Sequence, residues 1–162
     1  MNDFTVAFWI KVDAVTQANS YVTARYGGGS GVQLSALYGY VDDVELFRSG
    51  TGDGPNPRTG SQIDLDTDWH HVAYTRTGTD YDYYLDGTKT DIGTLSGSYT
   101  TLANLVIGNE AGGSATLDGK LDDVAWFDEG LNSTQINTIM GGELEFGEFG
   151  GERFGAVFAA DC

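Results

Sequence analysis

Residues 69–89 read WHHVAYTRTGTDYDYYLDGTK. From Trp69 to Thr77, aromatic and β-branched residues alternate with polar ones. Gly78-Thr79-Asp80 is a small polar break, and Tyr81 to Leu85 alternates again. Two alternating runs on either side of a short glycine-containing break predict a β-hairpin. Asp86-Gly87 follows at once, and this pair adopts the positive φ angles that a type I′ turn requires, so a second hairpin is expected. His70 and His71 are adjacent and therefore fall on opposite faces of their strand.

Working outward, Phe4, Val6, Phe8, Ile10 and Val12 share one face of an early strand, and Thr5, Ala7, Trp9 and Lys11 share the other. Further strands are read over 20–26, 32–38, 41–48, 88–92, 103–109 and 118–127. Gly27-Gly28-Gly29-Ser30-Gly31 is a turn, and residues 49–61, SGTGDGPNPRTGS, form a loop. One helix is expected at about 132–140. Asn132 or Ser133 caps it, Ile136, Ile139 and Met140 share a face, and Gly141-Gly142 ends it. Many short strands among 24 Gly and only 2 Pro point to an all-β sandwich or barrel.

The central hairpin, W-H-H-V-A then Y-Y-L-D-G, resembles that of laminin-G-like and pentraxin-like domains of the concanavalin A-like group. FTVAFWIKVD (4–13) is similar to that group's early strand, LVIGNE (105–110) to its late strand, and GKLDDVAWFDEGLNSTQI (119–136) to its closing strand and short helix. The resemblance implies a two-sheet antiparallel jelly roll over residues 1–142. It leaves function open, because this fold hosts lectins, adhesion modules, enzymes and structural domains. Two departures stand out. Only three residues precede Phe4, where the family places a further strand. Residues 143–162, ELEFGEFGGERFGAVFAADC, run past the helix and carry four Phe. The expectation is that this tail supplies the missing strand or pairs with a neighbouring chain, as a homo-oligomer or lattice contact.

The net charge is −16, from 24 Asp and Glu against 8 Lys and Arg. That disfavours phosphate backbones and anionic membranes, so neither nucleic acid nor a membrane is expected as partner. No apolar run approaches 18 residues, the length that marks a membrane-spanning helix. The opening MNDFTVAF has neither the basic nor the apolar region of a signal peptide. Cys162 is the single cysteine, so an internal disulfide or a cysteine metal site is excluded.

The carboxylates and aromatics supply the candidate chemistry. Ca²⁺ takes six to eight oxygens, which Asp-rich and Asn-rich loops supply. Three clusters qualify: Asp64, Asp66 and Asp68; Asn109 with Glu110; and Asp118 with Asp122 and Asp123. The same residues also suit hydrogen-bonded turns. By resemblance, Glu110 stands where pentraxin-like domains carry a calcium-binding Glu, and Asp122-Asp123 stands at the acidic pair of the closing strand. The next pentraxin carboxylate is replaced by Ala111-Gly112-Gly113, and an earlier Asp-Asn pair by Gly and Ser around 27–31, so the double-calcium site of that family is not intact. Sugar binding would use aromatic platforms beside amide and carboxylate groups, for which Tyr38, Tyr40, Asp53, Asn56, Arg58 and Tyr99 are the rim candidates. Glu143, Glu145 and Glu148 resemble the Glu-x-Asp-x-x-Glu strand of glucanases sharing the fold, but the central Asp is a Glu and Gly147 interrupts the run. No Gly-x-Ser-x-Gly elbow or cysteine accompanies the histidines.

These features together lead to the expectation of a non-enzymatic, lectin-like recognition or surface module acting outside cells on a glycan or a protein surface. A decoration or fibre protein of a virus particle is the alternative, and a polysaccharide-cleaving enzyme a more distant one.

Overall fold

The computed structural model describes residues 3–13, 20–26, 33–38, 46–49, 66–94, 102–107, 117 and 119–142. Nine strands run in chain order: β1 (Phe4–Val12), β2 (Ser20–Tyr26), β3 (Gln33–Tyr38), β4 (Leu46–Ser49), β5 (His70–Thr77), β6 (Asp80–Leu85), β7 (Thr88–Thr94), β8 (Leu102–Ile107) and β9 (Gly119–Phe127). Helix α1 (Ser133–Met140) follows them. They form a five-stranded sheet in the order β7-β6-β5-β1-β9 and a four-stranded sheet in the order β4-β3-β2-β8. Every pairing is antiparallel. This is the two-sheet antiparallel jelly roll that the resemblance implied, with one helix among the described residues.

Both expected hairpins form. β5 and β6 turn through Gly78, and β6 and β7 turn through Asp86 and Gly87, whose φ angles are 47° and 77°. Helix α1 begins where its cap was expected. The Asn132 side chain accepts from the backbone of Thr134 and Gln135, and the Gln135 side chain accepts from the Asn132 backbone N–H. Three backbone N–H groups otherwise orphaned at a helix start are thereby satisfied.

The early strand has its two faces as read. Phe4, Val6, Phe8, Ile10 and Val12 are buried in the inner core with Val72, Tyr74, Tyr81, Tyr83, Leu121, Val124 and Trp126, and Ile107 of β8 packs against them from the other sheet. Phe4 stacks on Trp126 with ring centroids 5.3 Å apart. The buried Arg76 guanidinium lies 5.3 Å from the centre of the Tyr81 ring, a cation–π arrangement.

The outer face of the same sheet carries a second core. Ala125, Ala7, Ala73 and Tyr84 stand side by side across β9, β1, β5 and β6. The three alanines leave room for a helix, and Leu131, Ile136 and Ile139 pack over this row with Phe127. Thr5 anchors the helix approach: its buried hydroxyl donates to the Glu129 carbonyl and accepts from Leu131 N–H, each at 2.8 Å.

β1 is interior, flanked by β5 and β9. The expected role of residues 143–162 falls outside the described residues. So do residues 50–61 of the expected loop, whose first residue, Ser49, ends β4, and residues 41–45, the first part of the strand read over 41–48.

Candidate functional site

At the end of the sheet where β5 begins, the left-handed turn after β6 brings Asp86 back to the two histidines. Asp86 Oδ2 lies 2.8 Å from His70 Nδ1, while Asp86 Oδ1 accepts from His71 N–H at 2.9 Å. The Asp86 backbone N–H donates to the His71 carbonyl, also at 2.9 Å. On the opposite edge of the His70 ring, Nε2 lies 3.0 Å from Asp66 Oδ1. That same Asp66 oxygen accepts from Asp68 N–H at 2.7 Å, closing a short turn ahead of the strand. A carboxylate at each nitrogen of an imidazole favours its doubly protonated cation. Burial alone would lower the His70 pKa, but the hydrogen bonds and charges of Asp86 and Asp66 outweigh it and raise the value above the ordinary 6.5. Asp66 responds in the opposite sense, lowered by its bonds to Asp68 N–H and to His70.

His71 has the contrary environment. It lies buried on the outer face, edge-on to Trp9 with ring centroids 5.4 Å apart. Desolvation lowers its pKa to about 4, so it is neutral at pH 7. Its Nδ1 has no hydrogen-bond partner among the described residues.

Trp69 immediately precedes this pair. It is 41 % exposed, the one large hydrophobic residue so displayed among the described residues. At this end of the sheet an exposed indole is next in sequence to an imidazole held between two carboxylates. The cluster offers directed hydrogen-bond acceptors at the rim. Its two carboxylates sit on opposite edges of one ring, so they do not converge on a cation. Among the described residues no group of three or more His, Cys, Asp or Glu side chains is placed to hold a metal ion.

A laminin G family model, described as the concanavalin A-like lectin/glucanases superfamily, matches residues 1–137. The chain belongs to this superfamily. No curated protein sequence matches it significantly. Among solved structures, domain 4 of AbnA, an extracellular arabinanase from Geobacillus stearothermophilus determined with arabinotriose, is similar at 18 % identity with a TM-score of 0.68. The match covers 85 % of this chain and 66 % of that one. A sialidase variant from Trypanosoma rangeli that displays trans-sialidase activity is 21 % identical with a TM-score of 0.62, over 85 % of this chain and 22 % of that one. The heptameric SAP-like pentraxin of Limulus polyphemus is 20 % identical with a TM-score of 0.54, over 85 % of this chain and 69 % of that one. The chain thus spans less than a quarter of the sialidase and about two thirds of the arabinanase domain. At these identities the likeness is one of fold.

In this superfamily member the structure separates the residues singled out in the sequence. Asp66 and Asp68 join the His70 cluster. Asp122 and Asp123 lie at a bulge in β9, where the register with β1 shifts between Ala7 and Trp9. Asp123 takes the left-handed conformation at φ 48°, and its N–H donates to Asp122 Oδ1 at 2.9 Å. Asp122 pairs with Trp9 on the outer face. Asp64, Asn109, Glu110, Asp118, Tyr40, Asp53, Asn56, Arg58, Tyr99, Glu143, Glu145 and Glu148 lie outside the described residues, and Tyr38 is placed only by its backbone in β3. Sequence reasoning passed over Trp69, His70 and Asp86 as a group because the two ends of the cluster are 20 residues apart. The available signal was the Asp-Gly turn itself, which folds β6 back toward the start of β5.

Proposed function

We propose that this chain is a non-enzymatic recognition module that binds a glycan at the Trp69 rim. The observation that carries the reading is the exposed Trp69 indole just ahead of β5, next in sequence to His70 of the Asp66–His70–Asp86 cluster. A sugar ring presents an apolar C–H face and a hydroxyl edge. The indole suits the face, and carboxylate oxygens held in place by His70 and by backbone N–H groups suit the edge, with little ordering cost on binding. Membership of a lectin and glucanase superfamily, and a similar fold in an arabinanase domain determined with arabinotriose, support the same class of ligand. The net charge of −16 favours uncharged glycans over sialylated or sulfated ones. A binding role also accords with the histidines, since both nitrogens of His70 are engaged and His71 is shut away from solvent. Work outside the cell, in a secreted or surface-displayed protein, is part of this proposal.

A glycan array tests it. Neutral glycans are expected to bind, and Trp69→Ala to abolish the signal. An array blank for every glycan, or measurable turnover of a polysaccharide by the wild-type chain, contradicts the proposal. Calcium dependence is a subsidiary proposal resting on Asn109, Glu110 and Asp118, and repeating the array with a chelator decides it.

A further inference from the structure

The outer face of the five-stranded sheet is divided between two kinds of surface. Helix α1 sits over the alanine row, and Gly87 lies against its last turn: a Cβ there would meet Asn137 Oδ1 and come within 3.3 Å of Met140 Cε. The next row toward the strand ends is Asp122, Trp9 and His71, where the bulk of Trp9 replaces the small alanines. The row beyond it is Lys120–Lys11, and Trp69 stands one residue ahead of β5, where continued alternation would bring it to the same row. Trp9, Lys11 and Asp122 are half-buried, while Lys120 and Trp69 are exposed. Beside the helix, Trp9 of β1 and Trp69 just ahead of β5 are diagonal in register, a residue spacing of about 7–8 Å in a regular ladder. Two ammonium donors and one carboxylate acceptor border this strip, and the buried, unpartnered Nδ1 of His71 lies beneath.

We infer that the Trp69 rim continues onto this strip and that the two together bind an internal stretch of an uncharged polysaccharide, laid across β5, β1 and β9 from Trp69 to Trp9. This rests on the glycan reading above and adds the mode of binding. A pocket for a single terminal sugar needs walls on several sides. An open strip with two platforms and mixed donors and acceptors instead rewards a chain that touches both. The donors of Lys11 and Lys120 and the acceptor of Asp122 suit sugar hydroxyl groups, which both donate and accept hydrogen bonds.

Calorimetric titration with arabino-oligosaccharides and cello-oligosaccharides, from disaccharide to hexasaccharide, tests the inference. For the series that binds, affinity should rise by roughly tenfold or more with length, the gain expected from adding a second aromatic contact. Trp9→Leu should abolish that rise while retaining the disaccharide affinity. A second measurement avoids perturbing Trp9. In Trp69→Phe the remaining tryptophans are Trp9 and the core residue Trp126. The hexasaccharide should shift the emission of this variant and the disaccharide should not. Length-independent affinity, or unchanged Trp69→Phe emission with bound hexasaccharide, overturns the inference while leaving glycan binding at the rim intact. Failure of every oligosaccharide to bind the wild-type chain overturns both.

Discussion

Asp86 holds the left-handed region at φ 47° and uses both carboxylate oxygens, one on the His71 backbone and one on the His70 ring. Asp is among the few residues that enter this region readily, because its short side chain bonds locally. Replacing it with Asn keeps the turn and one acceptor but removes the charge. The expected outcome is a fall in the His70 pKa from its raised value, read by NMR titration of the ring protons. Next to it, Gly87 at φ 77° has no room for a Cβ against Asn137. Gly87→Ala should therefore cost about 1–3 kcal/mol in denaturant unfolding, from backbone strain and the clash together. His70 and His71 respond to pH in opposite senses. The raised His70 pKa contributes stability that is present below the ordinary imidazole range and lost as pH rises through the folded value. The His71 pKa of about 4 contributes stability that is present above about 6.5 and lost as pH falls toward 4. The difference for His71 corresponds to about 3 kcal/mol. His71→Gln should accordingly flatten the decline in melting temperature between pH 7 and pH 4 relative to wild type, and an unchanged slope would contradict the burial argument. From the sequence alone, adjacency placed the two histidines on opposite faces. Their opposite titration needed the positions of Asp66 and Asp86, which no spacing rule supplies.

At the scale of elements, the alternation of β1 and the Asp-Gly turn were both legible, because strand period and positive-φ turns are local properties. The Asn132 cap was legible for the same reason. What the sequence left hidden was the target of the helix. The row Ala125–Ala7–Ala73 is dispersed over three strands and becomes a seat only when the register aligns it. Once it does, Ile136 and Ile139 have an apolar floor, and Trp9 one row further on marks where the helix no longer fits. Asn132→Ala removes the side-chain acceptor for two backbone N–H groups and its part in the capping box. It should cost about 1 kcal/mol, measured as a lowered denaturation midpoint with unchanged slope. A loss below about 0.3 kcal/mol would mean that helix packing, not the cap, fixes the start of α1. The bulge at Asp122 and Asp123 was likewise beyond pattern reading, since one extra residue in a strand looks like ordinary alternation until its partner strand is known.

For the whole molecule, the order of motifs was enough to fix the sandwich and its superfamily. The site was not, because a recognition surface on this fold is assembled from strand ends and loops that share no sequence period. The sequence pointed to the rim in general. The structure brings Asp66, His70 and Asp86 together and leaves the neighbouring Trp69 exposed. Charge acts at this scale too: a chain carrying −16 repels anionic polymers throughout, and raising the salt concentration should weaken that bias without weakening a neutral ligand. The most direct measurement is the dissociation constant of Trp69→Ala, by calorimetry, on the neutral glycan that the wild-type chain binds most tightly. The account predicts a loss of at least roughly tenfold with an unchanged melting temperature, because the indole is exposed and contributes to binding rather than to the core. Wild-type affinity in the folded variant would contradict it.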